Sequence, residues 1–576
     1  MEPVTERCWR ERQIDPAAVE KLGRAGIPPL LARLLANRGV VEPEDADAYL
    51  SPTLSTLYDP FLLTGMEIGV ERLCTALSRG EKVCVHGDYD VDGVTSVAVL
   101  IGYFRAIGLD CFSYIPKRLT EGYGLSLQGV EAAAVSGASV LVTVDCGITS
   151  IAEADRCRAL GIDLIVTDHH APAERLPDAY AVVNPLQAGC RFPFKSLAGV
   201  GIAFHLLVAL RSRLRATGAL AGADPDIREY LDLVALGTIA DVVPLLGINR
   251  VLVSYGLRLL TNTSRPGVQA LKDVAGVSGD VGCGAVGFRL APRLNAAGRL
   301  EDAALGLELL LSSDPKSAES IARALDEANA ERQALERATL EDARGMLAGG
   351  ACRGRKSIVL GSEEWHPGVI GIVASRIAEL FHRPVILFAL EDGKGRGSGR
   401  SISRFHLLDA IRSCADHLLR FGGHSHAAGL SIEEAQLEQF ALRFDEAAAG
   451  MLDADALIPS LPYDQELSPA EIDRALPDEL ERLKPFGMGN PEPVFLLSGA
   501  SVTACRELKG GHLKLTLTRD GRSFEAIGFG LAEKGIPAGR VDLLFSPSTN
   551  VWNGRSSLQV TVKDLRPCAA GIGRIG

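Results

Sequence analysis

Four apolar runs in the first half of this 576-residue sequence each end in carboxylates or imidazoles, groups that together can hold divalent cations. Residues 82–85 open into His86-Gly87-Asp88-Tyr89-Asp90-Val91-Asp92-Gly93, and residues 140–144 stop at Asp145-Cys146-Gly147. Residues 162–167 stop at Asp168-His169-His170, and residues 231–240 run into Asp241. Read as four strands of an open α/β sheet, these runs converge where such sheets bind ligands, outside the carboxyl ends of the strands. Carboxylates gathered that closely repel one another unless cations neutralise them. An oxygen-rich set supplemented by imidazole suits manganese or magnesium better than a thiolate-seeking metal. In an extended segment Asp90 and Asp92 face the same way, so both reach one site. Gly93 then lets the chain turn into a helix over residues 94–103, whose N-terminus favours negative charge or phosphate. Asp145 alone could be a turn former and gains weight from its place beside the other motifs. Asp241, inside an apolar run, would be costly without a partner, and a cation is the partner the other motifs supply.

The surrounding elements must position these groups. Length predicts three or four domains, and 47% apolar with 23% charged residues is the composition of an ordinary globular protein. No apolar stretch reaches membrane-spanning length, and the polar start MEPVTERCWRERQ does not read as a secretory signal. Twelve scattered cysteines without a C-x-x-C pair argue against zinc ribbons and disulfides, which predicts a cytoplasmic protein. A net charge of −12 argues against nucleic-acid binding by the whole surface but leaves room for a local basic channel. Residues 1–60 read as short helices and loops. Residues 61–312 alternate strand and helix, the pattern of a parallel sheet. Residues 313–348 form one long helix, capped by Ser312, Ser313 or Asp314, that bridges two domains. A smaller α/β domain follows over 349–455, and 456–568 carry the short alternating strands of an OB-like barrel.

Within the smaller domain, Lys394-Gly395-Arg396-Gly397-Ser398-Gly399-Arg400-Ser401 reads as a phosphate-approaching loop, and Gly422-Gly423-His424-Ser425-His426 as a second. In the barrel, Trp552 and Phe529 with Lys509, Lys514, Arg522 and Arg555 could track a nucleic-acid strand; the aromatics could equally fill the barrel core.

The motifs GDYDVDG, VDCGIT, TDHH and GTIADVVPL, in this order, resemble the DHH phosphoesterase superfamily. EGYGLS at 121–126, RLNAAGR at 293–299, GGHSHAAGLSI at 422–432 and PFGMGNPEPVF at 485–495 narrow the resemblance to its RecJ family of single-stranded-DNA exonucleases. The implied fold is α/β: a parallel-sheet DHH domain and a smaller α/β DHH-associated domain joined by a long helix, with a C-terminal OB-like β-barrel. The implied activity is metal-dependent 5′-to-3′ degradation of single-stranded DNA to mononucleotides in repair and recombination. Two manganese or magnesium ions are implied as cofactors. His86, Asp90 and Asp145 would hold one, and Asp92, Asp145, His169 and Asp241 the other. The family does not keep a histidine at the position of His86 throughout, so Asp88 stands as its alternative. The resemblance further implies that His170 faces the scissile phosphate and that Asp168 orients the histidine pair. It implies that Arg118, Arg299, Ser398 and Arg400 grip a terminal 5′-phosphate and that Tyr123 meets a base; His424 and His426 of the second loop are further candidate substrate contacts. Two cations about 3.5–4 Å apart both neutralise a phosphodiester and activate water, so no covalent nucleophile is expected. Single-stranded DNA is the implied partner of a monomer, with a single-strand-binding protein and a helicase cooperating and no membrane involved. Two rivals remain: a phosphodiesterase for short oligonucleotides or cyclic dinucleotides, and an inactive DNA-binding scaffold. The first lacks a counterpart to the residues beyond 460, and the second would have degraded carboxylates.

Overall fold

The computed structural model describes residues 4, 7–117, 121–220, 224–300, 303–532, 534–537, 539–552 and 555–568. The chain divides into two compact units. One comprises residues 51–332 with 485–491; the other comprises 1–50, 333–484 and 492–576.

The first unit holds an all-parallel five-stranded sheet in the order Cys111–Tyr114, Val83–Gly87, Val140–Val144, Asp163–Thr167, Ala181–Val183. Val83–Gly87 and Val140–Val144 are buried along their whole length, as near-continuous apolar strands covered on both faces should be. Helix Val91–Ala106 follows the first of these and is buried on nearly every side, packed against Gly199–Thr217 and Leu231–Ala240. Here one expectation fails: residues 231–240 are a helix, not a fourth strand. A ten-residue run that is apolar except at Asp232 and Thr238 fits a buried helix as well as a buried strand, and periodicity cannot separate the two. Residues 485–491 return to this unit, where Met488 O accepts from Leu245 N at 2.8 Å.

The second unit contains a mixed sheet in the order Arg420–Gly423, Ala427–Glu433, Lys394–Arg400, Val385–Glu391, Ile358–Ser362. The first expected phosphate loop is therefore almost wholly strand, and the second is the turn His424-Ser425-His426 between two strands. Gly395, Gly397 and Gly399 are not there for loop flexibility. A Cβ on Gly397 would lie 2.5 Å from Phe388 Cε1, and one on Gly399 would lie 3.1 Å from Leu407. Glycine on one face lets the aromatic core close, and alternation turns Arg396, Ser398 and Arg400 to the other.

Further on, strands Phe495–Leu508, His512–Arg519, Arg522–Gly528, Arg555–Pro567 and Arg540–Trp552 pair in that order, and the last pairs back with the first. The result is a closed five-stranded barrel filled by Phe495, Leu515, Leu517, Leu543, Phe545 and Val560. Phe529 is 58% exposed and packs edge-on against His512; the side chains of Trp552 and Arg555 lie outside those described. The amino-terminal segment is more than helices and loops. Cys8–Glu11 is a strand parallel to Ser460–Tyr463, and Trp9 Nε1 donates to Asp564 at 2.8 Å. Helix Pro315–Ala348 has 34 residues; Asp314 caps it by accepting from Ser317 N, and the division between the units falls inside it, after Arg332.

Candidate metal centre

The loop after Val83–Gly87 begins the site. Helix Val91–Ala106 starts earlier than the sequence pattern suggested, with Asp90 as its N-cap accepting from Gly93 N at 3.1 Å. Asp92 thus lies on the first helical turn rather than in an extended segment. Its carboxylate accepts from Gly199 N at 2.6 Å and Val200 N at 2.8 Å, the N-terminus of helix Gly199–Thr217. Asp145, at the end of Val140–Val144, has a left-handed φ of 60° and is 2% exposed. Such a conformation in a non-glycine residue costs energy and persists where the surroundings impose it. Gly199 permits the approach, since a Cβ there would lie 2.6 Å from the Asp145 Cβ. Asp241 is the C-cap of Leu231–Ala240, followed by Val242 at φ 60°.

Three groups result, each offering one ligand atom per residue within 4.8 Å of the others: Asp88, Asp90 and Asp145; Asp92, His169 and Asp241; and Asp145, His169 and His170. His169 Nε2 lies 3.1 Å from Asp145 Oδ1 and 3.6 Å from Asp241 Oδ2. Both Asp88 oxygens, Asp145 Oδ1, His169 Nε2 and Asp241 Oδ2 are buried without a hydrogen-bond partner. Burial, and then the charge of Asp90, pushes Asp92 up to about 7; burial, Asp92 and Asp90 push Asp241 up to about 9. Asp88 and Asp145 rise well above the carboxylate range, again through burial first and neighbouring carboxylates second. Burial, and then His170, lowers His169 to about 4, leaving a neutral imidazole. A buried cluster of carboxylates and a neutral imidazole, several of their atoms without partners, fits hard divalent cations with oxygen and imidazole ligands.

His86 is the exception among the expected ligands. It is fully buried, belongs to none of the three groups, and stacks on Tyr114 with centroids 5.2 Å apart. His86 lies within strand Val83–Gly87, its Nε2 also buried without a hydrogen-bond partner, whereas Asp88 follows the strand end and joins Asp90 and Asp145. Asp168 accepts from Ile148 N at 2.9 Å and from His170 N at 3.0 Å, with His170 Nδ1 2.8 Å away. Burial alone would raise Asp168, but the hydrogen bond and charge of His170 win and lower it; the same pairing raises His170 against burial. Tyr123 is 55% exposed, with its hydroxyl 3.3 Å from Asp145 O and 3.1 Å from His170 Nε2.

Arg299 lies half-buried on helix Ala291–Leu300, whose Asn295 Oδ1 accepts from Val91 N at 3.2 Å and whose Gly298 closes onto the Tyr89 carbonyl. Asn295 was not singled out from the sequence, although it sits within RLNAAGR. Arg118 lies outside the described residues. In the second unit, Arg400 Nη1 donates to Ser398 Oγ at 3.1 Å and Nε to Ser375 Oγ at 3.1 Å, beside the first turn of helix Ile370–Phe381. His424 and His426 are exposed at the turn joining Arg420–Gly423 to Ala427–Glu433.

Residues 82–238 match the DHH family, N-terminal domain, residues 354–450 the DHHA1 domain, and residues 463–564 the RecJ OB domain. The chain is 40% identical over 589 residues to the single-stranded-DNA-specific exonuclease RecJ of Salmonella typhimurium, covering 98% of this chain and 99% of that protein. It is 38% identical over 567 residues to its namesake from Bacillus subtilis, covering 96% of this chain and 70% of that one. The crystal structure of RecJ in complex with Mn2+ from Thermus thermophilus superposes with a TM-score of 0.84 at 37% identity, over 99% of this chain and 81% of that one. A second structure of the Thermus protein holds Mg2+. Likeness at this level covers nearly the whole chain, and the chain belongs to the RecJ family.

Proposed function

We propose that this protein is a metal-dependent exonuclease that hydrolyses the phosphodiester bonds of single-stranded DNA from the 5′ end, releasing mononucleotides in repair and recombination. The observation that carries the reading is the set of buried carboxylate and imidazole atoms left without partners in a chain of this family. Asp88, Asp90 and Asp145 would hold one divalent ion, and Asp92, His169 and Asp241 the other, with Asp145 next to both. Bound manganese or magnesium would neutralise the phosphodiester and lower the pKa of water. The chain's own groups do the remaining work. Asp168 fixes the His170 ring and favours its protonated form, which meets the scissile phosphate. Tyr123 offers an exposed ring to a base. Ser398 and Arg400, with the N-terminus of helix Ile370–Phe381 behind them, suit a terminal phosphate. Arg118, Arg299, His424 and His426 complete the proposed contacts to DNA.

The proposed domains are 1–60, 61–312, the helix 313–348, 349–455 and the barrel 456–568. Among the described residues no helix is long and apolar enough to cross a membrane. A cytoplasmic monomer working with a single-strand-binding protein and a helicase completes the proposal. The test is digestion of end-labelled single strands, duplexes and dinucleotides side by side with manganese or with chelator. Mononucleotides released only from single strands, and only with metal, are expected; preferential cleavage of dinucleotides would overturn the reading.

A further inference from the structure

Glu121 opens the EGYGLS segment and takes no part in the cluster, yet one carboxylate gathers three donors. Its Oε2 accepts from Tyr114 Oη at 2.8 Å and from Ser126 Oγ at 2.9 Å, and its Oε1 accepts from the backbone N of Lys117 at 2.9 Å. Lys117 precedes the segment and Ser126 closes it, so a single side chain ties both ends together. Ser126 is itself fixed, because it N-caps helix Leu127–Val135 by accepting from Gly129 N at 3.0 Å. Tyr114 is fixed from behind by the stacked ring of buried His86. Gly129 makes the room: a Cβ there would lie 2.7 Å from His86 Nε2. Between the tied ends stands Tyr123, flanked by Gly122 and Gly124 in left-handed conformations that few other residues adopt. Its hydroxyl nonetheless reaches His170 and the Asp145 carbonyl.

We propose that Glu121 is a positioning residue: its carboxylate, backed by Tyr114 and His86, clips the 121–126 segment so that Tyr123 is held against His170 for the incoming strand. The charge suits the task, since an ionised carboxylate accepts several hydrogen bonds at once and makes each of them stronger. The donors outweigh burial and keep the Glu121 carboxyl below its ordinary range. His86 thereby acquires a place behind Tyr114 in the site.

The proposal rests on the cluster being the catalytic centre, so its test needs one readout that does not depend on turnover. In the metal-free full-length protein, the ring resonances of His170 should move in Glu121→Ala as they do in Tyr123→Phe, and far less in Glu121→Gln, which retains an acceptor oxygen. In single-turnover digestion of a 5′-phosphorylated single strand with manganese, Glu121→Ala should slow cleavage about ten- to a hundredfold, the scale of a misplaced contact. The double variant Glu121→Ala/Tyr123→Phe should be no slower than the worse single variant, because both changes break one linkage. Should Glu121→Ala fold poorly, Tyr114→Phe removes a single donor and should show a smaller loss that is likewise non-additive with Tyr123→Phe. Unmoved His170 resonances, or losses that add in the double variants, would overturn the proposal. If the resonances move as expected while the wild type leaves DNA intact, the clip stands and the nuclease reading falls.

Discussion

Asp145 concentrates the demands of the site in one residue: a buried carboxylate in a left-handed backbone, within reach of Asp88 and Asp90 on one side and His169 on the other. Asp145→Ala is expected to abolish hydrolysis while leaving single-strand affinity nearly unchanged, as measured by turnover and by fluorescence anisotropy; full activity would sink the two-ion assignment. The raised carboxylates also make a statement about stability. With Asp92 near 7 and Asp241 near 9 when folded, against an ordinary 3.8, the folded protein retains protons that the unfolded chain has released. Stability of the metal-free protein therefore falls as pH rises through that interval. His86, His169 and His205, each lowered to about 4, act in the opposite sense up to their ordinary value of 6.5. The raised His170 works in the same direction as the carboxylates. Between about pH 6.5 and about pH 8.5 the melting temperature without metal should drop, and manganese should restore more of it at the upper end. Asp241→Asn should flatten the dependence; a melting temperature that rises with pH in the metal-free wild type would contradict the assignment.

Strand Lys394–Arg400 shows how one element can serve packing and chemistry at once. Its glycines admit Phe388 and Leu407 on the core face, and its Ser398 and Arg400 point the other way. Gly397→Ala should cost about 1–3 kcal/mol by overpacking, read from denaturant midpoints. Arg400→Ala should weaken binding about ten- to a hundredfold, the worth of roughly 1.5–3 kcal/mol for a charged hydrogen bond, and more on 5′-phosphorylated than on 5′-hydroxyl strands. Equal losses on both ends would assign this arginine to an internal phosphate or to the fold, where it already holds Ser375 and the Gly399 carbonyl.

At the scale of the whole molecule, the chain returns to units it has already left. Residues 485–491 belong with residues 51–332, and strand Cys8–Glu11 pairs far along the chain with Ser460–Tyr463. A truncation after residue 455 would thus remove more than a barrel, since it would also strip Leu245 of its bond to Met488 and Trp9 of its partner Asp564. Replacing residues 485–491 with a glycine-serine linker of equal length should lower the melting temperature of the unit that carries the cluster; an unchanged transition would make the segment a mere connector. The sequence by itself determined the carboxylate and histidine motifs, three of the four strands that present them, the long helix and the barrel texture. Each of these is written locally, in residue type and in periods of two or 3.6. Tertiary structure alone decided that residues 231–240 are helical, because a short segment apolar on nearly every side carries no clear periodicity to read. It decided that Asp88 joins the cluster while His86 packs beneath Glu121's partner Tyr114, because alternation along a strand is broken where the helix begins. It also turned the glycine-rich segment Lys394–Arg400 into a strand, because only the packed core reveals that Phe388 needs the space.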